Sequence, residues 1–266
     1  MLYSVLLENK RANDYVVLYP GRFQPFHYGH KSSYDHLVDQ FGSDKVFIIT
    51  AGFSKAVQSA QQKLKAAKLV HGTAGYSQLA KGHKEQLAKN PMGFDDKLEV
   101  MTGVHGIRHD HTPEDNDKLN VVHKSNPYQP FNNLTDIFGE DADFISTTKA
   151  VIVAIGEKDL TRLQNSAGAR STLMQLKSPE QVNSLQVYHD PTPNNPKPDV
   201  VYYYFVPNVM DDQGAVRSGT DFRNDLRQAE TKSTKLDIIK QHVSPDFDIH
   251  RHKDIFTKLT QQIGDA

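Results

Sequence analysis

The sequence predicts an α/β protein: a doubly wound parallel sheet of about five strands, with a helical C-terminal tail. Three observations lead there. Residues 16–19, Val-Val-Leu-Tyr, form a short β-rich apolar run that suits a central parallel strand buried on both faces. A polar loop with Gly21 and Gly29 follows, then Tyr34, Leu37, Val38 and Phe41 at helical spacing, with Gly42 as the stop. Residues 149–155 form a second run, apolar throughout its middle, that ends in Gly156 and acids. In such folds anionic ligands sit outside the carboxyl ends of strands, against helix N-termini.

Taken in order, residues 1–13 read as a short N-terminal arm. The opening MLYSVLLENK has no basic start and no long apolar stretch, so it does not read as a secretory signal. The strand at 16–19 is expected to break at Pro20-Gly21. Residues 45–50 read as the second strand. Residues 54–90 hold seven lysines and one glutamate, and Val57, Ala60, Leu64 and Ala67 place an amphipathic helix over 56–70. Lys63, Lys65 and Lys68 lie mostly off its apolar face. They read either as a basic flap steering an anionic substrate or as a solvated surface.

Asn90-Pro91 opens a turn before a helix with Phe94, Leu98 and Met101 on one side. Residues 103–118 form a polar loop. Its His105, His109, Asp110 and His111 are residue types that bind divalent metals, but no second cluster completes a site, so no protein-held metal is expected; a contact to a substrate suits the loop as well. A strand at 119–123, a turn at 126–130 and a short helix at 134–138 precede the strand at 149–155. Gly156 and Asp159 then stand where a base or ribose would lie, or where a plain βα turn carries an Asp cap. A helix is a candidate at about 171–176, and a Pro/Asn-rich loop spans 191–198. The last strand covers 200–206. In the tail, Leu236, Ile238 and Ile239 form one apolar face and Ile255, Phe256, Leu259 and Ile263 another. These are two short helices packed on the domain or on a second copy of the chain.

Composition narrows the partners. Lys and Arg number 31 against 32 Asp and Glu, so net charge does not suggest nucleic acid. The absence of cysteine excludes disulfides, thiolate metal sites and cysteine nucleophiles, and fits a reducing, cytoplasmic setting. No apolar run approaches the roughly 20 residues of a membrane span.

Two segments can carry phosphate chemistry, although residues 27–30 taken alone read equally as a polar loop with two surface histidines. In residues 21–30, GRFQPFHYGH, the glycines leave the backbone approachable, and His27 and His30 fall on one face of the first helical turn. Each imidazole can donate to a phosphate oxygen when protonated or in the right tautomer. In residues 218–223, SGTDFR, Ser218 is a natural N-cap and Asp221 completes a capping box. Beyond that, the amides of Ser218, Gly219 and Thr220, the Thr220 hydroxyl and the Arg223 guanidinium would meet an anion at the positive end of a helix.

GRFQPFHYGH resembles the signature of the HIGH-type nucleotidyltransferases, the cytidylyltransferase-like superfamily. Its Arg-Phe-Gln-Pro-Phe form is most similar to the nicotinamide-nucleotide adenylyltransferases. Residues 90–97 resemble that superfamily's segment of Asn-Pro, an aromatic, two acids and Lys or Arg. Residues 156–159 resemble its Gly-x-x-Asp, and 218–223 its Ser-x-Thr-x-x-Arg, in the expected order. Arg217 departs from the pattern, which has an apolar residue there. Leu6-Leu7-Glu8 reads as a plain N-terminal turn, but also resembles the cleavage sites of tailed-phage head-targeting peptides, which would add virion association.

The resemblance implies a Rossmann-like nucleotidyltransferase domain at 14–230, with insertions at 54–90 and 103–118 and a helical appendage at 231–266. It implies transfer of AMP from ATP to a phosphorylated acceptor such as nicotinamide mononucleotide, with pyrophosphate released. The alternatives are a cytidylyltransferase acting on a phospho-alcohol or sugar phosphate, and a silent nucleotide-binding virion protein. By the same resemblance His27, His30 and Arg223 are catalytic. Gly21, Arg22, Phe23, Gly29, Gly156, Asp159, Ser218, Gly219 and Thr220 bind the nucleotide, and Mg²⁺ arrives on the triphosphate.

Overall fold

Six parallel strands, one more than expected, form the sheet: β1 (Tyr15–Gly21), β2 (Val46–Thr50), β3 (Val121–His123), β4 (Ala150–Ile155), β5 (Thr172–Leu176) and β6 (Val200–Phe205). Their order is β3-β2-β1-β4-β6-β5. The computed structural model describes residues 15–53, 55–67, 74–89, 91–107, 120–129, 150–167, 172–185, 200–207 and 218–264. The expected arm at 1–13, the helix at 134–138, the loop at 191–198 and Arg217 lie outside them.

The helices are α1 (Tyr28–Phe41), α2 (Lys55–Ala67), α3 (Ala74–Lys89), α4 (Phe94–Glu99), α5 (Leu160–Ala167), α6 (Gly219–Gln228), α7 (Lys232–His242) and α8 (Lys253–Leu259). Alternation along β1, β2 and β4 feeds two cores. Val17, Tyr19, Ile48, Ile152 and Ala154 face α1, α6 and the C-terminal helices. Val16, Leu18, Ile49, Val151 and Val153 face Leu163 of α5. Each strand is therefore apolar on both sides, which is why the runs at 16–19, 45–50 and 149–155 are legible as buried parallel strands.

Ile239, Val243, Phe247, Phe256, Leu259 and Ile263 join the same core as α1 and α6. Polar contacts add to that packing. His242 Nε2 lies 3.0 Å from Asp225 of α6, and Lys258 reaches Asp96 at 3.1 Å and Glu99 at 2.7 Å.

Three expectations need correction. β1 does not break at Pro20; pairing continues with Pro20 opposite Ile49 and Gly21 opposite Thr50. A proline at a strand's end costs one ladder donor, not the strand. Residues 172–176 are a strand, not a helix, since each pairs in register with β6 from Val200 to Tyr204. The insertion holds two helices, α2 and α3, packed on each other, rather than one. No helix among the described residues is long and apolar enough to cross a membrane.

The strand order reverses between β1 and β4, so the carboxyl ends of these neighbours diverge into a crevice. The loops after β1, β4 and β6 all open there.

Candidate active site

The first wall of the crevice grows from the end of β1. Phe23 has φ +45°, a left-handed conformation rare for a bulky residue. Its ring lies over Gly21, where a Cβ would come within 2.4 Å of the ring. It also packs on Tyr19, Phe26 and His30, with centroids 5.4, 5.2 and 4.9 Å away. Gly21 is thus required by a neighbouring ring.

α1 begins at once with His27 as N-cap. The His27 amide N–H donates to Nδ1 of His30 at 3.2 Å, closing the turn. Nδ1 accepts, so the neutral ring of His30 carries its proton on Nε2. The two imidazoles lie against each other, tilted by 31°, with centroids 3.6 Å apart. Gly29 lets the ring of His27 close in, since a Cβ there would sit 3.2 Å from Cε1. Burial is the main reason both rings resist protonation, and neighbouring positive charge adds to it. His27 is lowered to about 3 and His30 well below its ordinary value. Both are neutral at pH 7 and donate as N–H dipoles, not as cations.

The second wall is the start of α6. Ser218 caps it, with Oγ accepting from the Asp221 N–H at 3.3 Å and donating to Oδ2 at 2.7 Å. The Ser218 N–H also donates to Asp221, at 3.1 Å. The serine is therefore occupied by its own cap. Gly219 and Thr220 supply the first-turn amides that have no partner inside a helix. Arg223 donates through Nη1 to the Gln24 carbonyl at 2.8 Å and through Nη2 to Thr220 Oγ1 at 3.1 Å. The first bond spans 199 positions and joins the two walls. A Cβ on Gly219 would meet the same carbonyl at 3.3 Å, so α6 approaches the loop closely.

All twelve expected residues line one cleft of about 390 Å³: His27, His30, Arg223, Gly21, Arg22, Phe23, Gly29, Gly156, Asp159, Ser218, Gly219 and Thr220. Their surroundings differ. The Phe23 side chain is buried floor, 4% exposed. Gly156 has open space where a Cβ would stand. Asp159 lies 2.6 Å from Arg162 Nη1, so its carboxylate is already paired. Lys158, Arg162, Ser33 and Tyr128 also line the cleft, and sequence reasoning missed them. Lys158 and Arg162 flank Asp159 in sequence, which was the available signal.

A second cavity of about 350 Å³ shares Arg22, Gln24 and Tyr128 with the first. The Gln24 carboxamide is buried and spent on Met92, accepting from its N–H at 2.9 Å and donating to its carbonyl at 3.1 Å. This clamps the turn before α4 to the histidine loop. Lys97, on α4, lines this cavity with its side chain fully buried. Its ammonium donates to the Ala51 carbonyl at the end of β2. Burial, and then the charge of Arg22, push it down to about 7. The adjacent Asp96 is engaged by the Gly93 N–H at 3.1 Å and by Lys258. A buried lysine beside a cavity, with the adjacent Asp96 held elsewhere, suits an anionic ligand. The acidic-acidic-Lys segment contained Lys97, but its burial depends on tertiary packing.

His105 contacts the histidine loop. Its Nε2 lies 3.2 Å from the Phe26 carbonyl and its ring packs on Phe26. Residues 109–111 lie outside the described residues, among which no three His, Asp or Glu side chains form a metal-holding group.

Compared with known proteins, the chain matches no curated protein. It matches a family model, described as cytidylyltransferase-like, over residues 18–151, just over half of its length. That span runs from β1, through the histidine loop and Lys97, to the start of β4, and the family implies a nucleotide substrate and nucleotidyl transfer. The fold, the histidine loop at the head of β1 and this match agree: the chain belongs to the cytidylyltransferase-like family, within the HIGH-type nucleotidyltransferase superfamily.

Proposed function

We propose that the protein transfers a nucleotidyl group, AMP from ATP, to a phosphorylated small-molecule acceptor and releases pyrophosphate. Nicotinamide mononucleotide is the acceptor to which the motif resemblance points. One observation carries this reading: Arg223 of α6 holds a carbonyl of the histidine loop, so both phosphate segments line a single cleft. The cavity beside Lys97 shares three residues with that cleft and suits the acceptor.

An oxygen of the acceptor's phosphate attacks the α-phosphorus. The bond from that phosphorus to the bridging oxygen breaks, and pyrophosphate leaves with the electron pair. Neither a nucleophilic side chain nor a general base is required, because the acceptor phosphate is already an anion. The protein positions the reactants and stabilises charge that grows in the transition state. His27 and His30 donate N–H groups to the α- and β-phosphate oxygens. Gly219, Thr220 and Arg223 hold the end that departs; the Thr220 hydroxyl accepts from Arg223, which leaves its own proton for a phosphate. Arg22 and Lys97 take the acceptor's phosphate.

The donor set fits a metal that arrives on the nucleotide. The lining is mainly N–H and O–H donors, and the Asp159 carboxylate is engaged by Arg162. Mg²⁺, when bound, neutralises charge on the triphosphate oxygens. The cysteine-free sequence supports a cytoplasmic setting.

The test is pyrophosphate release with ATP or CTP against a panel of phosphorylated acceptors, joined to calorimetry of each nucleotide. Tighter binding of ATP with turnover is expected. Preference for CTP makes the protein a cytidylyltransferase. Binding without turnover on any acceptor leaves a silent nucleotide-binding protein, as virion association would allow.

A further inference from the structure

The insertion at 54–90 contributes to the cavity beside Lys97, and what it contributes is uncharged. Ala56 of α2 and Gln86 of α3 line that cavity with Arg22, Lys97, Ser125 and Tyr128. No lysine of the insertion lines either cavity among the described residues, and Lys63 and Lys65 are exposed. α3 is held from two sides, by α2 and by the C-terminal turn Thr260–Gly264. Its position against the cavity is therefore set by packing.

The other carboxamides there have partners. Gln24 is spent on Met92, and Asn126 Oδ1 accepts from the Tyr128 N–H at 3.2 Å. Gln86 is half-buried, and no described residue hydrogen-bonds its carboxamide. A primary amide offers two donors and two acceptor lone pairs. We propose that Gln86 is the specificity-determining residue for the acceptor: Arg22 and Lys97 take the phosphate, and the Gln86 carboxamide hydrogen-bonds hydroxyl or amide groups on the organic body of the same monoester. This rests on the nucleotidyl-transfer reading, which gives the cavity an acceptor to hold. The acceptor class is a phosphomonoester of a hydroxyl- or amide-bearing compound, and the insertion chooses among such compounds.

The experiment titrates the full chain, wild type and Gln86→Ala, with methyl phosphate, ribose 5-phosphate and nicotinamide mononucleotide, with ATP as control. Methyl phosphate reports the phosphate end alone. Alanine suits a half-exposed helical position, and unchanged ATP affinity verifies that the fold is intact. In wild type, at least one larger monoester binds more tightly than methyl phosphate. In Gln86→Ala that advantage falls about tenfold, the size of one lost polar contact, while methyl phosphate and ATP bind as before. An unchanged advantage, or an equal loss for all three monoesters, overturns the assignment. Wild type that binds ATP but favours no larger monoester overturns it too, and leaves nucleotidyl transfer standing. Failure to bind ATP overturns nucleotidyl transfer, and the acceptor assignment with it.

Discussion

The two walls of the cleft hold their donors by opposite means. The histidines of the first wall are neutral and embedded in aromatic rings; His27 is buried, His30 is half-buried, and the two rings lie against each other and lean on Phe23 and Phe26. The α6 wall is partly exposed and charged, and it satisfies itself through the Ser218–Asp221 box. The first relies on exact placement of weak dipoles, the second on a permanent cation whose charge survives small shifts. Changes of shape should therefore damage the first wall most, and changes of donor geometry the second.

The largest effect belongs to His30. His30→Ala should lower turnover by about 10² to 10³, the loss typical of one transition-state donor. His30→Gln should recover part of it in steady-state kinetics, because a neutral N–H suffices. No recovery would mean that the imidazolium is needed. Next is Arg223→Lys, which keeps the charge but not the fork held by Gln24 and Thr220. About 10- to 100-fold loss in kcat/KM is expected, and a wild-type value would sink the role given to the fork.

Gly21→Ala forces a methyl group into the Phe23 ring. It should cost about 1–3 kcal/mol in denaturant unfolding. The pH response sharpens the comparison further. His27 is neutral in the fold, with its pKa depressed to about 3, whereas in the unfolded chain it titrates near 6.5. The unfolded chain then binds more protons, so this contribution to stability is complete above about pH 6.5 and is lost as pH falls towards 3. Urea midpoints should drop across that window, and His27→Leu should flatten the drop. The smallest effect is Ser218→Ala, which loses a cap worth about 1 kcal/mol. A much larger loss of activity than of stability there would give the serine a ligand contact beyond its cap.

Much of this architecture was legible because three strands are buried on both faces and announce themselves as unbroken apolar runs. β5 was not, because it lies at the sheet edge, with Thr172, Met174 and Gln175 exposed. Its pairing with β6, not its pattern, makes it a strand. α3 contains Gly75 and Gly82, poor helix formers, and is held by α2 and the C-terminal turn. At the site, the residue types of both phosphate segments were readable, and so was their spacing. The acceptor of Arg223 was not, because a backbone carbonyl at Gln24 leaves no mark in the sequence. Nor was the service of Gly21 to Phe23, since a positive φ at a phenylalanine cannot be anticipated from composition.

The grip of Arg223 on the loop at residue 24 also sets a timetable. These partners stand 199 positions apart, so a ribosome must add that much chain after Gln24 before the second wall exists. Until then the emerging chain carries its histidines with no guanidinium to meet them. A product cut short before residue 223 thus lacks one wall of the proposed site, and only a chain that extends past it acquires both.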